Sequence, residues 1–134
     1  MKTRKVRKPS KKSTTGHIIN FFLTLINTIK IYHWKTTSYS QHKATDDLFS
    51  KLQDNVDKFM EVYLGKNPRF KTNDVGSIHL TCCDNLRDLK TLIEKCIKKL
   101  PLIDLSPSND TDLLNIRDEI LADLNQFLYL LTLK

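Results

Sequence analysis

The chain has 134 residues, room for one domain and one modest core, and its formal net charge of +7 comes from 22 Lys and Arg against 15 Asp and Glu. The excess sits at one end: Lys2, Arg4, Lys5, Arg7, Lys8, Lys11 and Lys12 fall within the first twelve residues with no acid among them, and the remaining 15 basic residues are matched by the 15 acidic ones. With only three glycines and no Ser or Cys in recognisable nucleophile surroundings, the sequence speaks against phosphate-loop enzymes and serine or cysteine hydrolases.

The first predicted element is a tail. Residues 1–13 offer only Val6 for burial beside Pro9, Ser10 and Ser13, so the segment cannot offset its ordering entropy and is expected to be disordered when free. Its seven cations suit a polyanion. They would contact DNA through phosphate neutralisation and counterion release, a sequence-tolerant and salt-sensitive mode. A solubilising or localising tail is the other reading of the same charge.

Thr14 or Thr15 can cap a first helix running to about Ser38, with Ile18, Phe22, Leu25, Ile26, Ile29 and His33 at helical spacing. Residues 17–29 follow a basic stretch as a secretory signal would. Asn20, Thr24, Asn27 and Thr28 interrupt the apolar run, however, and no small-residue cleavage site follows. The expectation is a buried helix, no membrane association, and an intracellular protein of the cytoplasm or nucleoid, or one carried in a virion, rather than a secreted one.

A second helix, about Gln41 to Leu64, places Leu48, Phe49, Leu52, Val56, Phe59, Met60 and Tyr63 on one face, and Gly65 stands where the helix would end. Residues 67–80, with Pro68 and Gly76, read as an irregular connector. A third helix from about Cys83 to Leu100 is stopped by Pro101, and a fourth is capped by Asp110 or Asn109 and repeats Leu113, Ile116, Ile120, Leu124, Phe127 and Leu131. Four amphipathic helices without strand-like alternation predict an all-α four-helix bundle over residues 14–134. Cys82, Cys83 and Cys96 form no disulfide framework, which points to a reducing compartment, and His79 near Cys82 and Cys83 is a weak soft-metal candidate because adjacent residues on a helix point apart.

The second helix also carries a polar stripe. At about 100° per residue, with His42 at zero, Asp46 falls at about 40°, Asp57 at about 60° and Glu61 at about 100°, whereas the apolar face centres near 300°. Carboxylates and imidazole at i, i+4 spacing suit iron or a similar divalent ion, although acids beside an apolar face with Lys43, Lys51 and Lys58 nearby also form ordinary solvated edges. His42 and Asp57 are more than about 20 Å apart along the axis, so one ion cannot touch both pairs of one helix. Two copies running antiparallel would bring His42 and Asp46 of one beside Asp57 and Glu61 of the other, a twofold-related intersubunit site. His33 lies in phase with the apolar face of the first helix, where a hydrogen-bonded core histidine is the commoner role. Trp34 and Tyr39 could exclude water from the site or simply fill core.

His33-Trp34, then His42-x-x-x-Asp46, then Asp57-x-x-x-Glu61 eleven residues beyond Asp46 together resemble the ferroxidase signature of the Dps proteins, the DNA-protecting miniferritins of the ferritin-like superfamily. Residues 110–131 resemble the last helix of that family, and the wording from His33 to Asp46 is closer still to uncharacterised ferritin-like proteins of large DNA viruses. The resemblance implies a ferritin-like four-helix bundle in which Asp57 and Glu61 bind iron with His33, His42 and Asp46 of a partner chain. It further implies two ions per intersubunit site, iron oxidation by peroxide or dioxygen, a homodimer or larger homo-oligomer, and DNA association through the tail. The segment between the two histidines is about three residues shorter than in that family and lacks its glycine after His-Trp, while Lys66–Ser108 is abbreviated. A non-catalytic, ferritin-like structural dimer associated with nucleic acid is the competing reading.

Overall fold

A computed structural model describes residues 11–80 and 82–133, with side chains from Thr14 onward, and the expected tail residues 1–10 lie outside it. The described residues form helices joined by turns and loops, with no strand among them. The helices are α1 (Lys11–Lys35), α2 (Tyr39–Lys66), the four-residue α3 (Thr72–Val75), α4 (Leu86–Lys99) and α5 (Thr111–Leu130), with a 3-10 turn at Leu100–Leu102.

The helix ends differ from expectation by a few residues, for local reasons. α1 already includes Lys11, ahead of the expected Thr14 or Thr15 cap, so Lys11 and Lys12 are helical and not part of the tail. Thr36–Ser38 form a three-residue turn, and the Ser38 side chain caps α2 by accepting from the Gln41 backbone N–H at 3.3 Å. Gly65 does not end α2. The helix continues to Lys66, and Asn67, in extended conformation, closes it by donating from Nδ2 to the Tyr63 carbonyl at 2.9 Å. α4 begins at Leu86, three residues after Cys83, because Asn85 accepts from the Asp88 N–H at 2.9 Å and is the cap.

One cluster of buried side chains joins the four longer helices: Phe22, Leu25 and Ile29 of α1, Leu52, Phe59 and Tyr63 of α2, Leu89 and Ile93 of α4, and Leu113, Ile120, Leu124 and Phe127 of α5. Phe22 and Phe59 meet edge to face with ring centroids 5.3 Å apart, a favoured aromatic geometry. α2 packs against both α1 and α5. Its polar pairs with α5 fix an antiparallel register: Lys51 donates to Gln126 at 2.9 Å, Asn55 to Asp123 at 2.7 Å, and Lys66 to Asp112 at 2.6 Å. The Lys66 ammonium is raised by its hydrogen bond to Asp112, and Asp112 is lowered by the same bond.

The stretch expected to be an irregular connector contains α3, held against α1 by two devices. Asn20 Nδ2 donates to the carbonyls of Val75 at 2.9 Å and Ser77 at 2.8 Å, straddling Gly76, whose φ of 72° is easy only for glycine. Gly16 supplies the close approach, since a Cβ there would sit 1.8 Å from the Asp74 carbonyl oxygen. The asparagine that interrupts the apolar run of α1 is thus the anchor for this segment.

Cys82 and Cys83 are joined as a disulfide, contrary to the expectation that adjacent cysteines point apart. A bridge between neighbours closes almost no chain, so it lacks the loop-entropy stabilisation of a framework disulfide. Cys96 is buried, and burial pushes its thiol up to about 11.

Two outcomes follow. Gly16→Ala should cost about 1–3 kcal/mol by forcing α3 off α1, read as a lower urea midpoint. Asp123 is raised by burial, with the Asn55 hydrogen bond opposing, so its contribution to stability is present below the ordinary carboxylate range and lost as pH rises through the folded-state value. Asp123→Asn, which keeps an acceptor for Asn55, should therefore raise Tm at pH 7, and the gain should vanish by about pH 3.

Candidate functional site

The Thr36–Ser38 turn folds the end of α1 back onto the start of α2 and brings His33 and His42 together. Their rings stack with centroids 3.8 Å apart and planes 19° from parallel. Each Nδ1 reaches the other residue's backbone carbonyl, His33 Nδ1 to the His42 oxygen at 2.8 Å and His42 Nδ1 to the His33 oxygen at 2.9 Å. Carbonyl oxygens only accept, so both Nδ1 atoms carry hydrogen. In the neutral rings this leaves both Nε2 atoms with a free lone pair.

Thr45 completes the arrangement. Its hydroxyl donates to the Gln41 carbonyl at 2.8 Å and lies 3.1 Å from His33 Nδ1, which shares its hydrogen between Thr45 and His42. His33 is 7% exposed, as a core histidine would be. Yet Tyr63 Oη is the one buried side-chain N or O atom without a partner among the described residues, so the unbonded His33 Nε2 is not sealed from solvent. Thr45 belongs to no functional motif in the sequence, although it sits at about 300° on the α2 wheel, a hydroxyl in the middle of the apolar seam.

The other stripe residues are placed as their spacing requires. His42 and Asp46 are exposed one turn apart near the start of α2, and Asp57 and Glu61 are exposed one turn apart farther along. About 16 Å of helix separates Asp46 from Asp57. Among the described residues of this single chain, no three His, Cys, Asp or Glu groups come together as a metal site, the trio His79, Cys82 and Cys83 included. Of the tail candidates, Lys11 and Lys12 lie on α1, and Lys2, Arg4, Lys5, Arg7 and Lys8 fall outside the described residues.

Beside the stripe runs an open groove of about 520 Å³ between α1 and α2, bordered by Leu23, Ile26, Phe49, Met60 and Asp57. Phe49 and Met60 belong to the predicted apolar face of α2 but are only half-buried, because they look toward this uncovered side. Trp34 and Tyr39 do not fill core in the single chain. They are 70% and 73% exposed, with the Lys30 ammonium 5.5 Å from the Trp34 ring and that of Lys43 5.7 Å from Tyr39. No described helix is long and apolar enough to cross a membrane.

Thr45→Val, which keeps shape but removes the hydroxyl, should destabilise the fold by about 1–3 kcal/mol in urea unfolding, since a buried hydrogen-bond partner is lost. A variant as stable as the parent would show that the hydroxyl does not hold the histidine pair.

A protein of Enterobacteria phage T4, described as an uncharacterized 14.6 kDa protein in the mobD-ri intergenic region, is 35% identical to this chain over 63 residues, a match covering 47% of this chain and 49% of the phage protein. No solved structure matches. The DUF5856 profile, described as a family of unknown function, matches residues 33–131, from the first histidine of the stacked pair to the last buried leucine of the core. The chain belongs to the DUF5856 family.

Proposed function

We propose that this protein is a ferritin-like, iron-binding homodimer whose two metal sites are each shared between copies, with His33, His42 and Asp46 of one chain opposite Asp57 and Glu61 of the other. The observation that carries this reading is the pinned histidine pair. Histidines that bind metal through Nε2 ordinarily donate their other N–H to a carbonyl or carboxylate, and His33 and His42 do so reciprocally. Such reciprocal backbone support is more than an ordinary solvated edge needs.

Three further observations support it. The donor set of imidazole and carboxylate suits ferrous iron, and two such half-sets lie on one helix too far apart to serve one ion. Each half is incomplete in a single chain. The uncovered groove along α1 and α2 passes Asp57, so a second copy laid antiparallel over it would cover apolar surface and unite the half-sets. The antiparallel packing of α2 with α5 in one four-helix core is compatible with a ferritin-like bundle.

Iron bound there, two ions per site, would supply electrons to peroxide or dioxygen. The chain's own residues would hold and orient it: the carbonyl bonds keep both Nε2 lone pairs available, the carboxylates balance charge, and Trp34 would exclude water once covered. The tail cations Lys2, Arg4, Lys5, Arg7 and Lys8, with Lys11 and Lys12 of α1, would keep the dimer on DNA, a role supported by their charge.

Anaerobic ferrous titration tests the metal site. Wild type should take up iron saturably as a dimer, and Asp57→Asn with Glu61→Gln should lose at least about tenfold in affinity. Co-expressing that variant with a His42→Ala chain should restore one intact site per mixed dimer. Identical titrations of wild type and variant would remove the iron reading and leave a structural, nucleic-acid-associated dimer.

A further inference from the structure

Net charge differs by helix in the folded body. α1 carries Lys11, Lys12, Lys30 and Lys35 with no acid, and α4 carries Arg87, Lys90, Lys95, Lys98 and Lys99 against Asp88 and Glu94. α5 is the reverse, with Arg117 against Asp112, Asp118, Glu119 and Asp123, and α2 sets four lysines against five acids. Arg87, Lys90, Lys95, Lys98 and Lys99 make no ion pair among the described residues, whereas Lys35, Lys51, Lys66 and Arg117 each do.

The α4 cations share a side. With Arg87 at zero, Lys98 falls at about 20°, Lys95 at about 80°, Lys99 at about 120° and Lys90 at about 300°, while the buried Leu89, Ile93 and Cys96 centre near 210°; Asp88 at about 100° and Glu94 at about 340° lie on the same outer side, which keeps an excess of five cations over two acids. Lys98 and Lys99 suit the negative end of the helix dipole and Asp88 its positive end, but Arg87 in the first turn opposes it and Lys90 and Lys95 lie between the ends, so the dipole accounts for only part of the row.

We propose that the outer face of α4 is a phosphate-contacting surface for double-stranded nucleic acid, built into the fold and separate from the tail. The row extends about 18 Å along the helix, a length over which a duplex, at one charge per about 1.7 Å, presents roughly ten phosphates. The apolar seam of α4 is committed to the core, so this helix has nothing to insert into a lipid surface. The acids of the neighbouring α5 repel phosphate and bound the footprint.

The test uses the full chain and a 30-base-pair duplex of mixed sequence, with affinity followed by anisotropy across a salt series. Lys95→Gln/Lys98→Gln should make the slope of log affinity against log salt shallower by about two, with unchanged far-ultraviolet circular dichroism. Lys43→Gln/Lys58→Gln on α2 removes the same net charge and should leave the slope within about half a unit. Replacing Lys2, Arg4, Lys5 and Arg7 by Ala reports the tail separately. Equal effects of the α4 and α2 pairs, a response confined to the tail variant, no binding by wild type, or equal sensitivity of binding to phosphatidylserine vesicles would each overturn the proposal, and a tail-only response would leave the tail reading standing.

Discussion

α2 is packed on two sides at once, and the placement of the other functional groups depends on that. Its buried seam of Leu48, Leu52, Val56, Phe59 and Tyr63 meets α1 on one flank and α5 on the other, and polar pairs at Lys51, Asn55 and Lys66 lock the register with α5. A helix held so firmly cannot rotate to bury its own acids. His42, Asp46, Asp57 and Glu61 are therefore kept along an open edge, and the groove beside α1 stays uncovered.

The turn between α1 and α2 converts this rigidity into chemistry. With only Thr36–Ser38 available, the two helices double back tightly enough for each histidine to bond the backbone of the other. Ring orientation and the position of the hydrogen are then properties of the fold rather than of solvent. Because Thr45 spends its own hydrogen on the Gln41 carbonyl, it can only accept from His33, and the tautomer is selected twice over.

Net charge differs from helix to helix, positive on α1 and α4 and negative on α5. The acidic edge of α2 is suited to a cation, and the basic outer face of α4 to phosphate, so the two proposed ligand classes would not compete for one surface. Segregation of this kind also gives a long polyanion only one favourable side from which to approach.

The helical class, the four long helices, most of the core and the angular position of the stripe are legible in the residues alone, because helical periodicity and covalent spacing are local properties of the chain. The end of α1, both ends of α2 and the start of α4 differ by a few residues from their sequence-based placement, since Ser38, Asn67 and Asn85 compete with other plausible caps. Packing of the folded chain is what makes Asn20 the anchor of α3, pairs Cys82 with Cys83, leaves Trp34 and Tyr39 exposed, and lets His33 and His42 bond each other's backbone. Each of these depends on which segments come to lie side by side, and that is settled by the packing of whole helices rather than by any one stretch of residues.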